Sequence, residues 1–268
     1  MPISVSSRWN GASNMTNTTS QATRGGDGLG ALIGAKIFIV GAGSGVGRAI
    51  ASMAAARGAK VALAGRSRDK LDATAATLSG AVLGTYALDV TDRAQVEAAL
   101  AEHGPYDHIV TTAADLTFGP FTGLTDAQIE GMLASKFWGP INLGRAADKH
   151  LAPQGSLLFF SGLAAYRQGP GSSIVGVVNI ALESLAAALA IELKPKRVNV
   201  ISPGVVDAGS WSSMGEDERT AFFADVAGGL PVGRVGEVED EAHAALAVME
   251  NGFINGTVVN VDGGGRVA

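Results

Sequence analysis

Cysteine is missing from all 268 residues. Its absence excludes a disulfide scaffold, a thiolate zinc site and a cysteine nucleophile together. Charge is sparse as well, at 17% of residues, with a net charge of −5 and no block of like sign. Nothing therefore builds the cationic surface that polyphosphate binding requires, and no nucleic-acid partner is expected. Mean hydropathy is +0.24, but Gly and charged residues interrupt the Ala, Val, Leu and Ile before any apolar stretch reaches about 18 residues, so neither a membrane span nor a membrane partner is expected. The four histidines, His103, His108, His150 and His243, form no pair at metal-ligand spacing, and no metal site is expected. A Gly-x-Ser-x-Gly elbow is absent too, which removes the serine-hydrolase reading.

What is present is enough apolar material, 47% of the chain, for one large α/β domain. Residues 1–30 stand apart, rich in Ser, Thr, Asn and Gly with little to bury, and read as a disordered arm. They show neither the apolar core of a signal peptide nor an amphipathic Arg-bearing transit helix, so a cytoplasmic protein is expected; Met15 is a second candidate start. From Ala35 onward short β-branched runs alternate with longer Ala/Leu-rich segments, the rhythm of βαβ units. The pattern predicts strands at Lys36–Val40, Lys60–Ala64, Val82–Ala87, His108–Thr111, Ser156–Ser161, Arg197–Ile201 and Thr257–Val261. Helices are predicted at Gly45–Arg57, Arg68–Leu78, Arg93–His103, Asp126–His150, Ser172–Leu193, Glu216–Ala224 and Glu239–Asn251, with Thr91 and Thr125 as N-caps. The sum is an α/β fold, a single doubly wound parallel sheet of seven strands covered on both faces, spanning residues 31–268.

The first strand runs directly into Gly41-Ala-Gly43-Ser44-Gly45-Val46-Gly47 and an Ala-rich helix. Glycines at a strand-to-helix turn let backbone N–H groups approach a pyrophosphate at the positive helix end, so a dinucleotide site is expected here. The second strand ends Gly65-Arg66 rather than in a carboxylate. A carboxylate would hold the ribose hydroxyls of NAD, whereas Gly leaves room and Arg offers a charged fork for a 2′-phosphate, so NADP(H) is expected in preference to NAD(H). Asp89, after the third strand, suits either the adenine amino group or a helix cap.

Taken with Asp89-Val90, Ser202-Pro203-Gly204 and Asn255-Gly-Thr-Val-Val-Asn-Val-Asp262-Gly-Gly264, the glycine motif resembles that of the classical short-chain dehydrogenase/reductases, over residues 35–264. The resemblance implies a Rossmann fold, NAD(P)-dependent redox chemistry on a small carbonyl or alcohol substrate, and a homodimer or homotetramer. It also implies that Val90, Ala113, Pro203, Gly204 and Val206 line the cofactor, the Pro-Gly turn closing over the nicotinamide. The family's proton-transfer residues are a Tyr, a Lys four positions later, a Ser and an Asn. None of the three tyrosines, Tyr86, Tyr106 and Tyr166, has a Lys four or seven positions later. Alignment puts Val175 at the Tyr position, Asn179 at the Lys position, Gly162 at the Ser position and Lys136 at the Asn position, with Ala208 where a carboxamide-binding Thr often stands. The candidates left for chemistry are groups such a fold would place beside the nicotinamide: Lys136, Ser161 and Tyr166, with Arg167 next to Tyr166 in the loop after the fifth strand and Asp115 after the fourth. Lys136 is expected either to donate a proton from a partly dry pocket or to be a structural lysine that fills the Asn space or pairs with Asp115. Two function classes follow: an NADP(H)-dependent oxidoreductase with an atypical proton donor, or a retired relative that binds nucleotide for sensing or structure.

Overall fold

The computed structural model describes residues 32–211 and 214–268; the predicted arm at residues 1–30 lies outside them. Seven strands, β1 Lys36–Val40, β2 Lys60–Gly65, β3 Val82–Ala87, β4 Tyr106–Thr111, β5 Leu151–Phe160, β6 Arg197–Pro203 and β7 Val258–Val261, form one parallel sheet in the order β3-β2-β1-β4-β5-β6-β7. The helices are α1 Gly45–Ala56, α2 Arg68–Ala76, α3 Arg93–His103, α4 Asp126–Leu133, α5 Gly139–His150, α6 Ser173–Glu192, α7 Glu216–Gly229 and α8 Val238–Glu250. Strand order reverses between β1 and β4, which opens a crevice at the carboxyl ends of the strands.

The sheet is buried on both faces, as its near-continuous apolar strands require. On one face Ile37, Ile39, Leu63 and Ile201 pack under α1 and α8 through Ile50, Ala54, Ala245 and Leu246. On the other, Phe38, Val40, Ile109 and Val200 pack under α3, α5 and α6 through Val96, Leu143 and Leu182. The chain is thus a single Rossmann-type domain, as the sequence pattern predicts.

Three local departures have physical causes. Asp92, not Thr91, caps α3: its carboxylate accepts from the Ala94 and Gln95 N–H groups, while Asp89 takes the Thr91 N–H in a turn of its own. Thr125 does cap α4, in a reciprocal box with Gln128. The long helix expected over 126–150 contains a π-helical turn, Ala134–Trp138, between α4 and α5, and Lys136 sits in it. Finally, β5 begins at Leu151, five residues before the expected start, because Pro153 and Gly155 read as a break while Leu151 still pairs with Tyr106 across a register shift.

Helix α6 has 20 residues and a mean hydropathy of 2.1 over its most apolar window, so by length and composition it is long enough to cross a membrane; 44% of that window is buried. Asn179, Glu183 and Ser184 break its apolar run in the sequence, and one face packs on β6 and the rest of the sheet.

Candidate active site

The site begins where β1 ends. Gly41 has φ 89°, and a Cβ there would stand 2.5 Å from the Thr112 hydroxyl. At Gly47 a Cβ would be driven into the Gly41 carbonyl oxygen, so α1 can seat against the strand end only through glycine. Ser44, the N-cap of α1, makes no side-chain cap bond, which leaves the first helical N–H groups facing the crevice. That crevice is a continuous cleft of about 1110 Å³ running over the carboxyl ends of β2, β1, β4, β5 and β6. Gly41, Gly43, Ser44, Gly45 and Val46 line its floor, with Arg66, Asp89 and Val90 toward the β2 side, Ala113 between, and Pro203, Gly204 and Val206 toward β6. Gly47 alone of the expected cofactor residues is packed behind the loop rather than lining the cleft. The Pro-Gly turn is held down by the Gly204 N–H on the Val261 carbonyl, at 2.9 Å.

Arg66 does not stand alone at the β2 side. Its guanidinium holds Asp115 with two bonds of 2.7 and 2.6 Å, and both side chains remain largely open to solvent. Asp115 is placed for this by Ser135, whose hydroxyl accepts its backbone N–H at 2.9 Å. The expected pairing of Asp115 with Lys136 is thereby corrected, because Asp115 reaches across to β2 instead. An exposed pair of this kind is worth about 0–1 kcal/mol, so a dianionic phosphate could displace the carboxylate from the fork.

Near the middle of the sheet, the π turn delivers Lys136 into the cleft wall. The side chain is buried, and its ammonium donates to the Ser161 carbonyl at 2.9 Å. Burial pulls its pKa down to about 8, and the Glu183 carboxylate acts in the opposite sense. Glu183 escapes the sequence reading. It stands on α6 and accepts from the Ser161 hydroxyl at 2.7 Å and from the Tyr166 hydroxyl. A signal for it existed: Val175, Asn179 and Glu183 recur every four residues on one helix face, and a glutamate between Leu182 and Leu185 is out of place on a buried stripe.

Lys136 and Ser161 line the cleft, as does Arg167 at its mouth. Tyr166 is not among the lining residues. Its phenol is turned onto Glu183, its ring lies 4.0 Å under the Arg266 guanidinium, and burial, followed by the Glu183 hydrogen bond and charge, pushes its pKa up to about 12. The three sequence candidates are thus joined through one buried carboxylate, with Lys136 and Ser161 toward the cleft and Tyr166 behind it. Val175 and Asn179 also line the cleft. Asn179 donates to the Gly162 carbonyl at 3.2 Å and keeps its side-chain oxygen buried without a hydrogen-bond partner. That orphaned acceptor, together with the uncapped α1 terminus, fits a nucleotide bearing both hydroxyls and a pyrophosphate.

A doubly wound sheet with a glycine loop at its switch point defines a dinucleotide-binding fold. The family described as enoyl-(acyl carrier protein) reductase matches residues 41–265. Among curated proteins, galactitol 2-dehydrogenase of Agrobacterium fabrum is 31% identical over 85% of this chain and 95% of its own. Sorbitol dehydrogenase of Cereibacter sphaeroides is 30% identical over 87% and 98%. Similar solved structures include a small-chain dehydrogenase in complex with NADPH, with a TM-score of 0.77, 29% identity and coverage of 88% of this chain and 100% of that one. The MalC reductase/Diels-Alderase of Malbranchea aurantiaca gives a TM-score of 0.84 at 27% identity, covering 90% and 100%. The chain belongs to the short-chain dehydrogenase/reductase family of oxidoreductases.

Proposed function

We propose that this protein is an NADP(H)-dependent carbonyl reductase in which Lys136, rather than a tyrosine, delivers the proton. The observation that carries the reading is the Lys136 ammonium, buried in the cleft wall on the Ser161 carbonyl with its pKa near 8. At neutral pH such a group is protonated yet a far stronger acid than an ordinary lysine. Bound NADPH supplies the hydride for the substrate carbonyl carbon. Lys136 passes its proton to the carbonyl oxygen as the C=O bond becomes C–O–H, and the resulting amine recovers a proton from water in the cleft. The Glu183 carboxylate nearby acts on Lys136 in the sense that favours its ammonium form between turnovers. The Ser161 hydroxyl is committed to Glu183 and fixes the backbone carbonyl on which Lys136 rests. Arg66 would exchange Asp115 for the 2′-phosphate, and Asn179 would offer its free oxygen to a ribose hydroxyl.

Fluorescence titration with NADPH and NADH tests the cofactor. NADPH should bind at least about tenfold more tightly, and Arg66→Ala should erase most of that difference, since a charge-assisted fork is worth about 1.5–3 kcal/mol. Equal affinities in the parent would refute the preference. An NADPH-oxidation screen over carbonyls, enones and imines, with Lys136→Ala and Tyr166→Phe beside the parent, tests the chemistry. Tyr166→Phe should retain turnover and Lys136→Ala should lose it; tight binding with no turnover on any class would instead support a nucleotide-binding role alone.

A further inference from the structure

We propose that the substrate is a planar, apolar, ring-bearing ketone gripped by the side chains of Phe118, Trp211 and Phe222. The proposal rests on the reductase reading above and supplies the substrate class that reading leaves open. The same cleft that holds Lys136 and Ser161 is walled toward β6 by these three aromatics. Phe118 comes from the segment after β4, Trp211 closes the short turn Gly209–Trp211 after β6, and Phe222 lies on α7. Phe118 and Trp211 stack with centroids 5.7 Å apart and planes 22° from parallel, and Trp211 meets Phe222 at 4.8 Å.

The wall is held in place by bonds that use up its polar groups. The Trp211 indole N–H donates to the Val206 carbonyl at 2.9 Å, so its polar edge is satisfied inside the protein. The Gly119 N–H, next to Phe118, donates to the Gly171 carbonyl at 3.0 Å, which ties the segment after β4 to the one before α6. Leu116, Leu163 and Val175 extend the apolar lining. Among the described residues, the acidic side chains lining the cleft are Asp89 and Asp115, both toward the Arg66 side. A polyol placed against this wall would bury hydroxyls without acceptors, which is costly, whereas a flat ring system would match its shape and chemistry. A carbonyl on that ring would need one donor, and Lys136 provides it.

The test is calorimetric titration of 1-tetralone, sorbitol and ethyl acetoacetate into the full-length protein, with and without saturating NADP⁺, so that binding is read without turnover. Tetralone should bind at least about tenfold more tightly than the other two, and Phe118→Ala and Trp211→Ala should each weaken it by about three- to tenfold, the range expected for one lost aromatic pair. NADPH affinity should stay within about twofold in both variants, which also reports that they are folded. Should Trp211→Ala lose cofactor binding, Trp211→Leu and Phe118→Leu keep apolar bulk without a flat ring and should show the same selective loss. Sorbitol or ethyl acetoacetate binding as tightly as tetralone, or tetralone binding unaltered in the variants, would overturn the proposal. Tetralone bound through the wall, with no turnover on any class in the NADPH-oxidation screen, would defeat the reductase reading and leave the ring-binding site standing.

Discussion

Glu241 is buried completely within α8, and both its carboxylate oxygens lack a hydrogen-bond partner. Burial, reinforced by Asp240 and Asp262, pushes its pKa up from 4.5 to about 8. Between those values the folded protein keeps a proton that the unfolded chain releases, so this residue makes stability fall as pH rises from about 4.5 to about 8. At pH 7 the cost is on the order of 3 kcal/mol. Glu241→Met, similar in volume and unable to ionise, should flatten that slope in thermal melts and raise the melting temperature by several degrees at pH 8; a variant whose pH slope matches the parent's would show that Glu241 is not responsible. At this same scale the sequence was least legible. Arg66 and Lys136 could be singled out by position, but their partners could not: Asp115 turns toward β2 and Glu183 arrives from α6, pairings across 49 residues in one case and across separate elements in the other. Side-chain direction after a loop is a tertiary outcome that no local spacing encodes.

Among the elements, the phosphate loop was the most legible, because its geometry is a backbone constraint written as glycine. Gly47→Ala would force a methyl group against the Gly41 carbonyl. Overpacking of that kind costs about 1–3 kcal/mol, and displacing α1 should weaken NADPH binding by about tenfold or more in a fluorescence titration. Unchanged affinity would mean that the α1 terminus does not hold the pyrophosphate. All seven strands could likewise be placed from β-branched runs bounded by turn residues, with errors confined to ends such as Leu151, where Pro153 masks continued pairing. The π turn at Ala134–Trp138 is followed by Gly139-Pro140, a helix-breaking pair inside the helix expected over 126–150, so the sequence marked an irregularity there although not its π winding. Pro140 has no N–H to bond back along the helix, whereas Ala134 to Trp138 carry no residue that distinguishes a π turn from an α turn.

For the whole molecule, the outer face of α6 is the conspicuous unfinished surface. Val177, Ile180 and Ile191 are exposed on it, joined by Ser184, Ala187 and Ala188 at three- and four-residue spacing, and Trp138 is half exposed at the start of the neighbouring α5. A flat, small-residue, uncharged helix face permits close approach of a second copy, in keeping with the homo-oligomer expected from the family resemblance. Light scattering should give a mass of at least twice 27.0 kDa, and Ile180→Glu with Ile191→Glu should shift it to the monomer while each subunit stays folded. A monodisperse 27.0 kDa particle at every concentration would count against that assembly. The domain's layered architecture was readable at this scale from element rhythm alone, and the Ala-rich stretch Ile180–Leu193 could be singled out in the sequence as a surface for close helix packing; whether its small residues face the sheet or the outside stays open until the sheet shows which side is covered.

The central claim is that Lys136 is the proton donor, and the pH dependence of NADPH-driven reduction tests it most directly. With any ketone the screen identifies, kcat/KM in the parent should fall as pH rises through about 8, the pKa of the buried ammonium. Lys136→Met should lower kcat/KM by about 10² to 10⁴ and abolish that limb, with NADPH affinity preserved. A variant that keeps the parent's rate and its alkaline limb would contradict the account.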